Sequence, residues 1–412
     1  MGIIEGNAVL FTQGGPTAVI NASWVGVARG LMNTPEITGI YGSIHGIDGI
    51  LNENFVDLRA QNPETLEAIT RTPATALLST RHKPSDEDNK SMLNVFKKYN
   101  IRYVFSAGGN DTSEALDIIN DAAKVENYEI RMFHLAKTVD NDLMENDHTP
   151  GYASAARYVA NAFRGVDMDN RCFGGIYLGV CMGRHAGFLT AASALGRTGP
   201  DSGPHLVYVP ERSFNIDQFC NDVEKIYTKL GRCVIAVSEG VEDDSGVPIL
   251  QCLSSGKLEA DSHGNVQLSG TGALADALID RLKMYMKEKG VVEKLRARGD
   301  TLGYIQRSFP DQSPVDREET LGLGLFAAEQ ALSGNKDGSV AIQRVSDDPY
   351  KITYKLVPLK SVAGKTRHLP DNHINEAGNN VTDAFIKWGK PLIGELIQFG
   401  LLDQSKAVPK IS

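Results

Sequence analysis

Residues 103–134 read YVFSAGGNDTSEALDIINDAAKVENYEIRMFH and contain one complete unit of the pattern that predicts the fold. Short apolar runs at Tyr103–Ser106 and Ile130–His134 are typical of buried β-strands. Between them, Thr112–Lys124 has the pattern of an α-helix. A strand, a helix and a second strand in this order predict two parallel strands joined by a crossover helix.

The same alternation occupies most of the 412 residues. Further strands are predicted at Ala8–Phe11, Thr38–Ile44, Ile176–Cys181, His205–Val209, Arg232–Ser238 and Leu302–Gln306. Further helices are predicted at Val19–Leu31, Ser85–Lys98, Tyr152–Phe163, Ala186–Leu195, Ile216–Leu230, Gly272–Lys289, Glu318–Leu332 and Val381–Leu396. The alternating segments Ser339–Arg344 and Lys351–Leu356 predict an antiparallel pair. The expected class is α/β, with mostly parallel sheets covered by helices on both faces and ligands at the carboxyl ends of the strands.

Composition and charge limit the function classes. Apolar residues make up 42% of the chain, and no apolar run approaches the ~18–20 residues of a membrane span. The net charge of −9 disfavours general nucleic-acid binding, because basic side chains supply most non-specific affinity for a phosphate backbone. The five cysteines form no C-x-x-C pair, so reduced thiols and a cytoplasmic location are expected. We therefore expect neither a nucleic-acid nor a membrane partner.

Glycine-rich turns follow three of the predicted strands, at Gly14-Gly15, Gly108-Gly109 and Gly183. Glycine lets a backbone approach an anion, and the N-terminus of the next helix adds N–H donors. Any one such turn is equally well explained as a tight turn that needs glycine for its geometry. Three in one chain favour a phosphate site.

Charged residues also follow or flank predicted strands. The run Lys137-Thr138-Val139-Asp140-Asn141-Asp142 places two carboxylates beside a lysine. Phosphoryl transfer needs a carboxylate that accepts the proton of the attacking hydroxyl, and cations that balance charge on the moving group. A solvated polar turn explains these residues equally well. The arginines of Met182-Gly183-Arg184, Arg298 and Gly303-Tyr304-Ile305-Gln306-Arg307 suit phosphate binding, although each alone is as readily surface charge.

The chain resembles the 6-phosphofructokinases in six successive motifs: Gly14-Gly15, Gly108-Gly109-Asn110-Asp111, Lys137–Asp142, Met182-Gly183-Arg184, Ser238-Glu239-Gly240 and Gly303–Arg307. The resemblance runs from about Ala8 to Leu392, and it is greatest to the longer members that use pyrophosphate. It implies Mg²⁺ as cofactor and a homo-oligomer, with a dimer favoured.

The resemblance also implies a role for each matching residue. The donor phosphates would lie against Gly14, Gly15, Arg81, Gly109 and Asn110. Asp140 would accept the proton of the sugar's 1-hydroxyl, and the predicted catalytic set is completed by Lys137, Asp111 and Asp142. Fructose 6-phosphate would contact Thr138, Val139, Asp140, Met182, Gly183, Arg184 and Glu239, with its 6-phosphate at Arg298, Tyr304 and Arg307. Asn110 stands where the family usually has an aspartate that serves the metal, and a neutral amide weakens direct Mg²⁺ binding.

Two Rossmann-like lobes with the active site in the cleft between them are implied as well. Residues 1–145, with about 335–412, would form the lobe that binds the phosphoryl donor. Residues 146–334 would form the lobe that binds fructose 6-phosphate, interrupted by a loop or hairpin excursion at 240–271 that is rich in Gly, Ser and Asp.

The choice of donor depends on Asp111 and Lys137. Members that use ATP resemble one another in having glycine at the position of Asp111 and no lysine at that of Lys137. A carboxylate at Asp111 would occupy the space of the ATP α-phosphate, and at ~4 Å with an effective dielectric near 20 two like charges repel by roughly 4 kcal/mol. Lys137 would stabilise charge on pyrophosphate during transfer. The implied reaction is the reversible conversion of pyrophosphate and fructose 6-phosphate to phosphate and fructose 1,6-bisphosphate.

Three alternatives are open from sequence: the same chemistry with ATP, an NAD or lipid kinase with a similar glycine turn, and a non-catalytic regulatory subunit that binds a sugar phosphate. The elements Met182–Arg184 and Arg298–Arg307 argue against an NAD or lipid kinase, since such an enzyme needs neither element. The intact set of Lys137, Asp140 and Asp142 argues against the third.

Overall fold

The structure is a computed structural model that describes residues 2–253, 272–403, 406 and 408. In this part of the chain the strands are β1 (Gly6–Thr12), β2 (Ile37–Ser43), β3 (Phe55–Asp57), β4 (Ile101–Gly108), β5 (Arg131–Ala136), β6 (Gly175–Cys181), β7 (Leu206–Tyr208), β8 (Arg232–Ser238), β9 (Ala297–Thr301), β10 (Asp337–Asp347) and β11 (Tyr350–Val357). The helices are α1 (Ile20–Leu31), α2 (Gly46–Leu51), α3 (Pro63–Ile69), α4 (Asp86–Lys98), α5 (Asn110–Val125), α6 (Tyr152–Phe173), α7 (Phe188–Ala192), α8 (Ile216–Leu230), α9 (Ile249–Leu253), α10 (Ala273–Glu288), α11 (Ile305–Ser308), α12 (Pro314–Leu332), α13 (Leu359–Val362) and α14 (Asp383–Ile393). Short 3-10 turns lie at Ser193–Gly196 and Asp371–His373.

These strands form a larger and a smaller sheet. The larger sheet has the order β11-β10-β5-β4-β1-β2-β3, and the smaller sheet has the order β7-β8-β6-β9. Strands in the smaller sheet pair in parallel, whereas the larger sheet is parallel except at its edges, where β11 and β3 run antiparallel to their neighbours. The predicted α/β class with mostly parallel sheets is confirmed, and so is the predicted antiparallel pair near residues 339–356.

Successive residues of a strand point to opposite sides of the sheet. Because the central strands of the larger sheet are apolar on both sides, helices cover both of its faces. In β1, Ala8 and Leu10 pack in the core beneath α1 and α12. Val9 and Phe11 pack on the other face, in the core beneath α4 and α5. A continuous apolar strand of this kind is typical of a sheet buried on both sides.

Helices α1 and α12 approach each other closely at glycines. A Cβ atom on Gly26 would lie 2.3 Å from the Leu321 carbonyl oxygen, and one on Gly324 would lie 2.0 Å from the Ser23 carbonyl oxygen. Helix α12 thus packs on the larger sheet, although it falls in the range predicted for the sugar lobe. Conversely, α14 packs in the core of the smaller sheet through Phe385. The lobe boundaries themselves stay a prediction.

The strand predicted at Leu302–Gln306 is wrong. Strand β9 ends at Thr301, and α11 begins at Ile305. Between them Gly303 has a φ of +58°, a left-handed conformation that glycine adopts without strain and that turns the chain out of the strand. As a result Arg307 lies on the turn after β9, while Arg298 lies within the strand.

The excursion predicted at 240–271 lies partly outside the described residues, since 254–271 are not described. Its first part forms an isolated bridge between Glu242 and Pro248, followed by α9. Among the described helices, none combines the length and the apolar character needed to cross a membrane.

Candidate active site

The residues that directly follow β1, β4, β5 and β6 line two adjoining cavities of about 330 and 500 Å³, called here the first and the second cavity. This is the position expected of ligands in a parallel sheet, outside the carboxyl ends of the strands. The predicted residues that line only the first cavity are Gly14, Gly109, Asn110 and Asp142. Those that line only the second are Val139, Met182, Arg184, Glu239, Tyr304 and Arg307. The two cavities share Gly15, Arg81, Asp111, Lys137, Thr138 and Asp140, called here the shared wall.

Lys137 is the buried cation of the shared wall. Its side chain is 5% exposed, and its Nζ atom donates a 2.6 Å hydrogen bond to the Gly15 carbonyl oxygen. Its backbone N–H donates to the Gly108 carbonyl oxygen, which ties the turn after β5 to the turn after β4. Burial, followed by the nearby charge of Arg307, lowers the pKa of Lys137 to about 8. The ammonium group is therefore fixed in position, charged at neutral pH, and loses its proton as pH rises through about 8.

Asp140 is a half-buried carboxylate of the same wall. Burial raises the pKa of its carboxyl group, and the charges of Asp142 and Glu239 raise it further. Its Oδ1 atom is buried and, among the described residues, accepts no hydrogen bond. A carboxylate with a raised pKa and a free oxygen at a cavity suits a group that takes up a substrate's proton.

Asp142 lies two residues further along the same turn. Burial raises the pKa of its carboxyl group, whereas a hydrogen bond from Thr138 lowers it. The intervening Asn141 has a φ of +59°, and its Oδ1 atom accepts a 2.9 Å hydrogen bond from the Thr149 N–H. The Thr149 hydroxyl also donates to the Thr138 carbonyl oxygen. Thr149 therefore holds the turn that presents both carboxylates.

The glycine turn after β1 permits a close approach. Gly14 has a φ of +73°, and a Cβ atom on Gly15 would lie 2.8 Å from Nη1 of Arg307. A side chain at position 15 would therefore force that guanidinium to shift. The Gly14 N–H donates to the Thr80 carbonyl oxygen, so the turn also anchors the segment that carries Arg81.

Asp111 lies in the first turn of α5, where the helix dipole favours a carboxylate. Its side chain is 67% exposed, and its Oδ2 atom lies 3.7 Å from Nζ of Lys83. Water and this counter-charge screen it, so its repulsion of a phosphate falls from the roughly 4 kcal/mol expected from sequence toward about 1 kcal/mol. The charge of Asp111 alone is thus a weaker barrier to ATP than the sequence predicts.

Asn110, the predicted metal residue, begins α5. Its Oδ1 atom accepts a 2.8 Å hydrogen bond from the Asp111 N–H, and its Nδ2 atom lies 3.4 Å from the Lys365 carbonyl oxygen. The described residues contain no cluster of three or more His, Cys, Asp or Glu side chains that could hold a metal ion. The predicted role of Asn110 stays a prediction.

The second cavity combines one buried acid with aromatic and basic groups. Burial raises the pKa of Glu239, whose Oε1 atom accepts a hydrogen bond from the Gly183 N–H. Gly183 itself does not line the cavity, and it acts through this contact. The Arg307 guanidinium lies 4.1 Å from the centroid of the Tyr304 ring. Such stacking orients the planar group toward the cavity.

Sequence reasoning missed Gln306 as a site residue. Its side chain is 1% exposed, its Oε1 atom accepts a 3.2 Å hydrogen bond from the Met182 N–H, and its Nε2 atom donates to the Gly303 carbonyl oxygen. Gln306 thus joins the turn after β6 to the turn that carries Arg307. Its place inside the Gly303–Arg307 motif was the available signal. His82 and Lys83, which also line the first cavity, follow Arg81 directly.

Arg298 is, with Gly183, one of the two predicted residues that line neither cavity. Its side chain is exposed on the edge strand β9, where its Nη1 atom donates to the Ala297 carbonyl oxygen. Its predicted contact with the sugar's 6-phosphate therefore stays a prediction.

Known proteins resemble this chain over most of its length. The sequence profile of the family described as Phosphofructokinase matches residues 7–331. A pyrophosphate–fructose 6-phosphate 1-phosphotransferase of Rhodospirillum rubrum is 48% identical over 393 residues, which cover 95% of each chain. A protein of the same name from Halomonas elongata is 32% identical over 94% of this chain and 91% of its own.

A solved structure agrees with the sequence matches. The crystal structure of a pyrophosphate-dependent phosphofructokinase from Marinobacter aquaeolei superposes with a TM-score of 0.83 at 27% identity, covering 97% of this chain and 94% of its own. With a family match over most of the sequence and relatives above 30% identity across both chains, the chain belongs to the phosphofructokinase family.

Proposed function

We propose that the chain is an enzyme that transfers a phosphoryl group from pyrophosphate to the 1-hydroxyl of fructose 6-phosphate, giving fructose 1,6-bisphosphate and phosphate. The observation that carries this proposal is the shared wall, where the buried Lys137 ammonium and the free Asp140 Oδ1 atom lie between two cavities. The names of the relatives from Rhodospirillum rubrum and Halomonas elongata support the same reaction.

Pyrophosphate would occupy the first cavity. Gly14 and Gly15 leave the backbone open to its oxygens, and the N-terminus of α5 at Gly109 and Asn110 offers N–H donors. Arg81 and Lys137 face the phosphoryl group that is transferred, because both belong to the shared wall. Fixed cations at this point lower the barrier by stabilising charge that develops on the phosphoryl oxygens.

Fructose 6-phosphate would occupy the second cavity, with its hydroxyls near Glu239 and its 6-phosphate near Arg307. The 1-hydroxyl oxygen forms a bond to the nearer phosphorus of pyrophosphate, and the bond from that phosphorus to the bridging oxygen breaks. Asp140 takes the hydroxyl proton, and phosphate leaves. Because pyrophosphate and the product ester have similar phosphoryl-transfer potential, we expect the step to be reversible.

Magnesium is part of the proposal. Mg²⁺ is commonly held by one or two carboxylates together with substrate phosphates and waters, and the Asp142 carboxylate, which lines the first cavity, fits that donor set. Asn110 would contribute an amide oxygen or a water-mediated contact. When bound, the ion neutralises part of the charge on the phosphates.

The deciding experiment is a donor comparison. Purified protein is given fructose 6-phosphate and Mg²⁺ with either pyrophosphate or ATP, and the formation of fructose 1,6-bisphosphate is followed. We expect kcat/KM with pyrophosphate to exceed that with ATP, because the first cavity places its cations and glycine turns around two phosphates. Faster turnover with ATP would overturn the donor assignment.

The regulatory-subunit alternative makes a different prediction in the same assay. A non-catalytic subunit would bind fructose 6-phosphate without turnover with either donor, which calorimetry detects directly. The Asp140 and Lys137 arrangement favours turnover. We further propose a cytoplasmic homo-oligomer, with a dimer favoured, which size-exclusion chromatography with light scattering tests.

A further inference from the structure

A segment beyond the matched family region reaches back to the active site. Residues 363–371, called here the strap, follow α13 and lead into the second 3-10 turn, whereas the family profile ends at residue 331. No signature motif covers the strap, so sequence resemblance assigns it no role. Its contacts suggest one.

The strap crosses from the larger to the smaller sheet. At one end the Lys365 carbonyl oxygen lies near Nδ2 of Asn110, at the start of α5. At the other end Nδ1 of His368 lies 2.8 Å from the His185 carbonyl oxygen, and the Leu369 N–H donates a 2.8 Å hydrogen bond to Oε1 of the partly buried Glu211. The strap is thus anchored to both sides of the cleft.

Its central residue, Arg367, contacts the turn that carries both catalytic carboxylates. The Arg367 N–H donates a 2.7 Å hydrogen bond to the Asp142 carbonyl oxygen, and its Nη1 atom lies 3.4 Å from the Asn141 carbonyl oxygen. The Thr149 N–H donates a 2.9 Å hydrogen bond to the Oδ1 atom of Asn141. The turn, with its left-handed residue at position 141, is therefore held between Thr149 and Arg367.

The desolvation of the Arg367 guanidinium beside this turn indicates that the side chain has a role beyond packing. Burial lowers the pKa of its guanidinium, and the charges of Asp147 and Asp142 offset this only in part, since Asp147 pairs directly with His148 and Arg344 instead. The group faces the Phe188 ring at 4.8 Å and the Asn141 carbonyl oxygen instead. A half-buried cation with these partners still loses part of its hydration, whereas an apolar side chain would pack there without that desolvation.

We propose that Arg367 is a positioning residue for phosphoryl transfer, which fixes the Asp140–Asp142 turn in the geometry that the reaction needs. Displacing a reacting group by about 1 Å can reduce turnover by about 10²-fold, so a loose turn would lower kcat while leaving both binding cavities intact. The inference rests on the proposed function, because it concerns the geometry of that same reaction.

The test substitutes Arg367 while keeping the backbone contact of the strap. Arg367→Met keeps a long side chain but removes the charged, planar guanidinium group. We expect kcat with pyrophosphate to fall by about 10²-fold. The KM values for pyrophosphate and fructose 6-phosphate should change by less than about threefold, because the lost interaction matters in the transition state. Arg367→Lys, which keeps the charge and one donor, should recover kcat to within about tenfold of the unsubstituted protein.

The matched control is Arg212→Met, which removes the 3.0 Å pair with Asp371 at the far end of the strap and should leave kcat within about twofold. An unchanged kcat in Arg367→Met would overturn the proposal, and so would an equal loss in Arg367→Lys or a rise in KM that accounts for the loss. If thermal unfolding shows that Arg367→Met does not fold, the proposal is decided by comparing kcat of Arg367→Lys with kcat of Arg212→Met. A failure of the proposed function is distinguishable, since the unsubstituted protein would then show no turnover with pyrophosphate.

Discussion

The shared wall and the outer part of the second cavity hold their charges in different ways. In the shared wall, Lys137 is buried and bonded to Gly15, and Asp140 has a buried oxygen on a turn held from two sides. In the outer part, Tyr304 is 49% exposed and Arg307 is only half-buried, while Arg298 lies outside the cavity on an edge strand. Buried, fixed charges suit transition-state stabilisation, because they need no reorganisation during reaction. Exposed charges suit substrate capture, so changes in the two regions should separate into effects on kcat and effects on KM.

Asp140→Asn should have the largest effect and should act on kcat. The amide has the shape of the carboxylate but cannot take the hydroxyl proton, so we expect kcat with pyrophosphate to fall by about 10³-fold or more. Steady-state kinetics measure this, and the KM for fructose 6-phosphate should change little. Asp121→Asn, an exposed acid on α5, serves as the control. If Asp140→Asn kept a tenth of the activity, Asp140 would not be the proton acceptor.

The pH dependence of turnover tests the buried cation. The pKa of Lys137 is lowered to about 8, so the lysine loses its positive charge as pH rises through this value. For free enzyme we expect kcat/KM with pyrophosphate to fall about tenfold per pH unit on the alkaline side. Arg stays charged in this range, so Lys137→Arg should lose that alkaline limb even if its overall rate is lower. If the alkaline fall of kcat/KM persists in Lys137→Arg, a group other than Lys137 causes it.

Arg307→Met tests the substrate-capture side. The guanidinium is half-buried beside Gly15 and lines the second cavity, so losing its charge-assisted hydrogen bonds should raise the KM for fructose 6-phosphate by about 10- to 100-fold. The change in kcat should be much smaller. A fall in kcat with an unchanged KM would move Arg307 to the reacting phosphoryl group instead.

Arg298→Met sharpens the same comparison. The family resemblance places Arg298 at the 6-phosphate, whereas its side chain lies outside both cavities of the chain. We expect a rise in KM for fructose 6-phosphate of about tenfold or less, below that of Arg307→Met. An unchanged KM would remove Arg298 from the substrate site.

Asp111→Gly should have the smallest effect. Because the carboxylate is 67% exposed and lies near Lys83, its removal should increase kcat/KM with ATP by less than about tenfold. Turnover with both donors, measured side by side, gives the ratio. A gain of several decades would show that the space filled by the side chain, rather than its charge, excludes ATP.

Much of the fold followed from local sequence. The apolar runs that became β1, β4 and β5 and the helical pattern of α5 lie where predicted, because strands buried on both faces need continuous apolar sequence. The strand predicted at Leu302–Gln306 failed for an equally local reason. Gly303 permits a left-handed turn, and an apolar run of a few residues cannot by itself distinguish a strand from a helical turn.

Sequence alone predicted which chemistry the chain carries, through the resemblance of its six ordered motifs to one family, and the motif residues Lys137, Asp140 and Arg307 follow strand ends, where parallel sheets expose their ligands. Only the tertiary structure decided how those residues act. The partners of Gln306, Thr149 and Arg367 are distant in sequence or lie on another turn, and no local pattern marks such contacts. Burial likewise is a property of the packed chain, so the lowered pKa of Lys137 and the free oxygen of Asp140 became visible only when both sheets closed around them.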